Sequence, residues 1–293
     1  MLPYSLTIAC SSLLLFLVQP IIAKAILPRF GGSAGVWVTC MLFFQVVLLI
    51  GYLYSYLVTH YLNRKAQTVV HLALLVASMA ALPLRPRGDW IPAGWPVVSI
   101  LALLAVSVGL PYLLLSTTSP LLQFWYAGSG EARFPYRLFA LSNAASLAAL
   151  LSYPVAIEPL MSQQQQFRWW SGGYLVFVLL ATVAAFRTRA GDVDQNTGER
   201  PTAGQSLTWI ALAACASTLW LAVANHLSQE VAAIPFLWIL PLSLYLLSFI
   251  LCFESSGWYR PTLFAWLLPA AWAAVCFRIA FQGSAGGLLW EIP

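Results

Sequence analysis

Long apolar runs without charged side chains recur along almost the whole of this 293-residue chain. Each run is about 18 to 25 residues long, which matches the roughly 20 residues that an α-helix needs to cross the apolar core of a bilayer. A helix on the surface of a water-soluble protein would instead carry a polar face. The pattern therefore predicts an all-α, polytopic bundle of about nine transmembrane helices, in runs at approximately 4–27, 35–59, 66–84, 95–118, 136–157, 168–187, 207–225, 233–253 and 261–281.

The composition excludes a water-soluble protein. Hydrophobic residues make up 61% of the chain and charged residues 8%, against about 25% charged in a typical soluble domain. The net charge is +5, but the basic residues are scattered between apolar runs and form no basic stripe of the kind that binds nucleic acid. We expect lipid to surround the protein and expect no DNA or RNA partner.

The sequence contains no recognisable catalytic or metal-binding motif. There is no nucleophile elbow, zinc-protease signature, phosphate-binding loop or dinucleotide-binding fingerprint. The Gly-rich segment 31–35 joins two apolar runs and lacks the βαβ setting that phosphate binding needs. The five cysteines lie in apolar segments without CxxC or Cys/His spacing. We therefore expect each of them to be a small, buried apolar residue. We predict no cofactor, no metal and no catalytic residue, and an embedded enzyme is the weakest interpretation.

One long polar stretch divides the chain into two parts. Residues 188–206, which include Asp192, Asp194 and Glu199, are predicted to form a cytoplasmic linker. It follows a six-helix half at 1–187 and precedes a three-helix segment at 207–293. Because the chain stops soon after the ninth run, we expect this segment to be a truncated second half.

The distribution of basic residues predicts a cytoplasmic N-terminus in a plasma membrane. With that orientation the cytoplasmic connections carry eight basic residues and the opposite side carries six. This slight excess of basic residues on the cytoplasmic side agrees with the positive-inside rule. The eight are Arg64, Lys65, Arg133, Arg137, Arg187, Arg189, Arg200 and Arg260.

Polar residues inside the first apolar run are candidates for a cavity lining. Gln19 and Lys24 flank Pro20, which removes a backbone donor and can kink the helix to expose a carbonyl. Ionisable groups at membrane depth are costly and often functional. The alternative is a simple kink with Lys24 extending its amine to the interface.

The fourth run ends in a hydroxyl-rich segment between two prolines, which includes Thr117 and Thr118. A helix broken there would present hydroxyls and free carbonyls to a polar solute. Equally, those hydroxyls could bond to carbonyls of their own helix and pack against a neighbour. Gln45 and Asn143, in the second and fifth runs, complete the candidate lining within the first half.

The most concentrated polar patch beside an apolar run follows the seventh run. His226 and Glu230 are four residues apart, so on a continued helix they would share a face and form a proton-sensitive pair. A turn outside the membrane explains the same residues equally well.

Four phrases resemble the membrane part of a bacterial family, the fused major-facilitator/spermidine-synthase-like membrane proteins. They run from the first to the eighth apolar run, so the resemblance covers most of the chain. They are FLVQP with ILPRFGGS (16–20 and 26–33), VWVTCMLFFQ (36–45), LSTTSPLLQ (115–123) and PFLWILPLSLYL (235–246).

The resemblance implies a bacterial inner-membrane module with a major-facilitator-like arrangement of helices. In the family this part commonly precedes a soluble domain similar to spermidine synthase, which uses decarboxylated S-adenosylmethionine and a diamine. Since this chain has no residues that match such a domain, the resemblance implies a transporter-like or anchoring module beside a synthase-like partner. The alternative is a self-contained secondary transporter of a small polar or cationic solute.

Overall fold

The computed structural model describes residues 2–31, 33–87, 95–127, 136–187, 202–226, 239–254, 257 and 260–281. Within these ranges the regular structure is helical and no strand occurs. The all-α class predicted from the apolar runs is confirmed.

The first part of the chain forms eight consecutive helices. Helix α4 continues through a π-helical turn, Ala105–Gly109, into α5, so that Pro96–Ala127 is one long apolar span. A similar π-helical turn, Tyr153–Ile157, joins α6 to α7. The bounds are α1 Leu2–Phe30, α2 Ala34–Tyr61, α3 Arg64–Ser78, α4 Pro96–Leu104, α5 Leu110–Ala127, α6 Tyr136–Ser152, α7 Glu158–Leu160 and α8 Gln163–Arg187.

Three further helices follow: α9 Ala203–His226, α10 Ile239–Glu254 and α11 Pro261–Phe281. Helix therefore occurs in each of the nine predicted runs. Six helical segments of the described residues are long and apolar enough to cross a membrane, and α10 and the segment Pro261–Phe277 of α11 are shorter apolar helices. The structure supports a multi-pass membrane protein, while the count of about nine spans and the division into halves stay predictions.

Helix α3 differs from the predicted third span. The run at 66–84 is α-helical only to Ser78 and ends in a short 3-10 turn, Met79–Ala81. Its buried residues include Gln67, His71 and Ser78, whereas Val69 and Val76 are exposed. Polar groups that face the bundle and apolar groups that face outward are the pattern expected in lipid.

Two helices begin earlier than predicted because each starts with a capping box. In α8 the Ser162 amide donates to Gln165 Oε1 at 2.8 Å and the Gln165 amide donates to Ser162 Oγ at 3.4 Å. Thr202 and Gln205 make the same reciprocal pair at α9, at 2.9 and 3.3 Å. These pairs satisfy amides that the first helical turn leaves without partners. Regular helix therefore begins at Gln163 and Ala203, a few residues before the apolar runs that start near 168 and 207.

The fourth span also differs, because α5 continues to Ala127 rather than ending near residue 118. Pro120 lies inside this helix and does not break it, in keeping with the tolerance of transmembrane helices for proline. The helix thus passes unbroken through the hydroxyl-rich segment.

Helix α1 is the centre of the packed part of the fold, since it contacts α2, α5, α6 and α8. Its buried residues, such as Val18 and Ile22, belong to the largest apolar cluster of the described residues. Helix α10 packs on α6, while the described side chains of α11 are exposed and those of α9 are nearly all exposed. Gly31, at φ +80°, allows the tight connection between α1 and α2.

Candidate functional site

Gln19 lies beside the centre of the helix bundle and links α1 to α5. Its Nε2 donates to the Tyr112 hydroxyl at 3.2 Å and approaches the Leu15 carbonyl at 3.5 Å. Tyr112 is fully buried against Phe44 of α2. Pro20, next in α1, is also buried. The amide therefore joins α1 to α5 next to the position where α1 lacks one backbone donor, and Tyr112 extends the contact to α2.

Lys24 forms an ion pair with Glu158, which connects the C-terminal part of α1 to the start of α7. The Lys24 side chain is 46% exposed and that of Glu158 is 22% exposed. Neither alternative for Lys24 anticipated this partner, because the two residues are 134 positions apart. Each side chain thus has a counter-charge.

Thr117 and Thr118 are fully buried in α5, and both hydroxyls donate to the Leu114 carbonyl at 2.8 Å. This is the arrangement of the second alternative, in which the hydroxyls bond within their own helix. From α2, Ser55 Oγ donates to the Thr117 carbonyl at 3.2 Å. The segment thus contributes to the contact between α2 and α5.

The other candidates lie apart from these residues. Gln45 is on the exposed side of α2, and half-buried Asn143 donates to the Phe139 carbonyl of its own helix at 2.8 Å. Glu230 and the side chain of His226 lie outside the described residues. Among the described candidates, no hydrogen bond or ion pair joins two of them.

A further polar cluster, which sequence analysis did not identify, surrounds Trp125 where α2 ends and α3 begins. Trp125 Nε1 donates to Gln67 Oε1 at 2.9 Å, and the Arg64 guanidinium lies 3.8 Å from the centre of the indole ring. His71 packs edge-on against the same indole, and Tyr54 lies beside His71. Burial lowers the pKa of Arg64 to about 10, with the nearby Tyr4 opposing the shift, so the guanidinium stays charged at neutral pH. Because Arg64, Gln67 and His71 are spaced three and four residues apart, they lie on one helix face. This spacing could have predicted the cluster from the sequence.

The cysteine prediction was wrong for three residues. Cys40 is buried and Cys10 is half-buried, but Cys215, Cys252 and Cys276 are exposed. These three lie on faces of α9, α10 and α11 that no described helix covers. Within the described residues, no group of three or more His, Cys, Asp or Glu side chains could hold a metal ion.

The pair between Lys24 and Glu158 gives a testable prediction. Glu158→Gln should lower the stability of the protein in detergent by about 0.5–1 kcal/mol, because a partly exposed pair contributes little and the substitution leaves Lys24 without its counter-charge. The measurement is the thermal midpoint of unfolding. The exchange variant Lys24→Glu/Glu158→Lys should recover most of the loss. If the exchange variant is less stable than Glu158→Gln, the attraction between the two charges is unimportant for stability.

Comparisons of this chain with protein families, with curated proteins and with solved structures find no match.

Proposed function

We propose that this chain is a membrane-anchoring module, and that it holds a spermidine-synthase-like partner at the cytoplasmic face of a bacterial inner membrane. The partner and the location come from the resemblance of the four sequence phrases. One observation favours the anchoring role over transport. The hydroxyls of Thr117 and Thr118 are buried, and both donate a hydrogen bond to the Leu114 carbonyl.

A transport pathway needs polar groups that can turn toward a solute at membrane depth. Several polar groups between the helices of this bundle instead bond to one another or to their own backbone. Ser12 of α1 and Ser142 of α6 share a hydrogen bond of 2.7 Å, and Ser78 of α3 and Tyr174 of α8 share another of 2.7 Å. Such contacts hold helices together in lipid, where apolar burial alone contributes little to association.

The anchoring role predicts the outcome of a flux measurement. We expect proteoliposomes that contain the chain to take up and release radiolabelled spermidine and putrescine at the rate of protein-free liposomes. The matched variant is Thr117→Val/Thr118→Val, which keeps the side-chain shape and removes both hydroxyls. It should also show no flux above that of protein-free liposomes. Protease protection confirms that both proteins are inserted.

Flux above the protein-free rate would refute the anchoring role. Its loss in the valine variant would then place the pathway at α5 and support the alternative, a secondary transporter of a small cationic solute. Persistence of flux in that variant would place the pathway elsewhere.

The transporter alternative is supported by a different observation. Gln19 and Lys24, both on α1, bond to different partners, Tyr112 and Glu158. Since α1 also contains Pro20, movement of this helix would exchange two polar contacts at once, which is what alternating access between helix groups requires.

An adjacent reading frame that encodes a synthase-like domain would favour the anchoring module.

A further inference from the structure

The cluster around Trp125 contains several buried polar atoms that have no hydrogen-bond partner among the described residues. We define the Trp125 cluster as Tyr54, Arg64, His71 and Trp125. It lies at the end of the bundle where α2 ends at Tyr61 and α3 begins at Arg64. The charge distribution along the sequence predicts that this end is cytoplasmic.

Four atoms of this cluster are buried without a hydrogen-bond partner in the part of the chain that the structure describes. They are Nη1 and Nη2 of Arg64, Nδ1 of His71 and the hydroxyl oxygen of Tyr54. His71 is only 3% exposed. Each buried polar group without a partner destabilises the fold, and a charged group does so more strongly. Several such groups together indicate a site whose ligand supplies the missing bonds.

The charge of Arg64 indicates which class of ligand this cluster would bind. The ion pairs between described residues are Lys24 with Glu158 and Arg137 with Glu254, and neither includes Arg64. An ordered water could bond to Tyr54 and His71, but it could not neutralise a buried guanidinium. The centre of the Trp125 indole ring lies 3.8 Å from the guanidinium carbon of Arg64, but this cation–π contact supplies no hydrogen bond to the terminal nitrogens.

We propose that the Trp125 cluster binds a phosphate-type anion, with the two terminal nitrogens of Arg64 donating to phosphate oxygens and Tyr54 and His71 completing the site. Guanidinium groups bind phosphate through paired hydrogen bonds of this kind. Basic sites between helices at the cytoplasmic side of a membrane commonly bind lipid headgroups. The phosphate could belong to an anionic phospholipid or to a soluble molecule. The site goes beyond the proposed function and does not depend on it.

The test uses the full chain in nanodiscs of phosphatidylcholine, with thermal unfolding as the readout. One arm adds increasing fractions of phosphatidylglycerol, and the other adds inorganic phosphate against a chloride control at equal ionic strength. The variants are Arg64→Gln and Lys65→Gln. Lys65 is the exposed neighbour of Arg64, so its variant loses the same charge at the same end of the bundle.

We expect phosphatidylglycerol to raise the unfolding temperature of the wild type and of Lys65→Gln. In Arg64→Gln the apparent affinity should fall by roughly tenfold or more, because a charged hydrogen bond is lost. The same pattern with inorganic phosphate would support the site and identify a soluble ligand. If neither anion raises the unfolding temperature, or if Lys65→Gln loses as much affinity as Arg64→Gln, the proposal is overturned.

A second variant keeps the test decisive if Arg64→Gln does not fold. Tyr54→Phe removes only a hydroxyl that has no partner in the described residues. Without an added anion it should be as stable as the wild type or more stable, because a buried unsatisfied group is removed. With the anion it should gain less stability than the wild type. Equal gains for both proteins would exclude Tyr54 from the site and contradict the proposal.

Discussion

Trp170→Ala is expected to destabilise the folded protein by roughly 3 kcal/mol, the lower end of the cost of truncating a buried tryptophan. Trp170 is buried in α8, and its indole nitrogen donates to the Leu14 carbonyl of α1 at 2.9 Å. Its ring stacks on Tyr174, with ring centres 5.3 Å apart. Tyr174 in turn bonds to Ser78 of α3. The substitution therefore loosens contacts that connect three helices.

The lower end of the range applies because the surroundings are lipid rather than water. Truncation loses van der Waals contacts and one hydrogen bond, but little free energy from transfer out of water. The measurement is the thermal midpoint in detergent, with SDS titration as a second probe. The matched control is Trp169→Ala, since Trp169 is the adjacent residue and is 73% exposed. Equal destabilisation by the two variants would refute the central role of Trp170.

Gly51→Ala is expected to destabilise the protein by about 1–3 kcal/mol, the usual cost of forcing extra atoms into a packed contact. A Cβ at Gly51 would lie 1.9 Å from Ser116 Oγ, 3.0 Å from Ser116 Cβ and 3.3 Å from the Leu113 carbonyl oxygen. The serine hydroxyl can rotate away, but the Cβ and the backbone oxygen cannot. Helices α2 and α5 must therefore separate, which weakens the nearby bond from Ser55 to the Thr117 carbonyl.

The control for this change is Gly172→Ala, because nothing lies within 4 Å of a Cβ at that position. It should be neutral or slightly stabilising, since alanine is a better helix former than glycine. Adding Ser116→Gly to Gly51→Ala should recover much of the loss by removing the opposing Cβ. If Gly51→Ala and Gly172→Ala have the same thermal midpoint of unfolding, the inferred close approach of α2 and α5 at Gly51 is wrong.

Helix positions were predictable because each apolar run is a local property of the chain. Their ends were less so, since the capping pairs of Ser162 with Gln165 and of Thr202 with Gln205 lie outside the hydrophobic signal. Both pairs match the Ser/Thr-x-x-Gln pattern and were readable from sequence. The 3-10 ending of α3 and the continuation of α5 beyond Pro120 depend on packing around those helices.

The sequence predicted individual residues of the candidate site, but not the contacts that they make. Polarity within an apolar run identified Gln19, Lys24 and Thr117, but not their partners. Tyr112 and Glu158 are 93 and 134 positions away from the residues they bond. No local pattern carries a pairing of that length, because it arises only when the helices pack.

The sequence by itself determined that this chain is helical and apolar enough to cross a membrane several times, because hydropathy and run length are summed over neighbouring residues. It also located polar residues within the apolar runs. Tertiary structure decided which polar residues bond within one helix, as Thr117 and Thr118 do, and which join two helices, as Lys24 and Glu158 do. It also decided which polar atoms are buried without a hydrogen-bond partner among the described residues, as the terminal nitrogens of Arg64 are. The physical reason is that a hydrogen bond depends on distances of a few ångströms, which helix packing sets and sequence spacing does not.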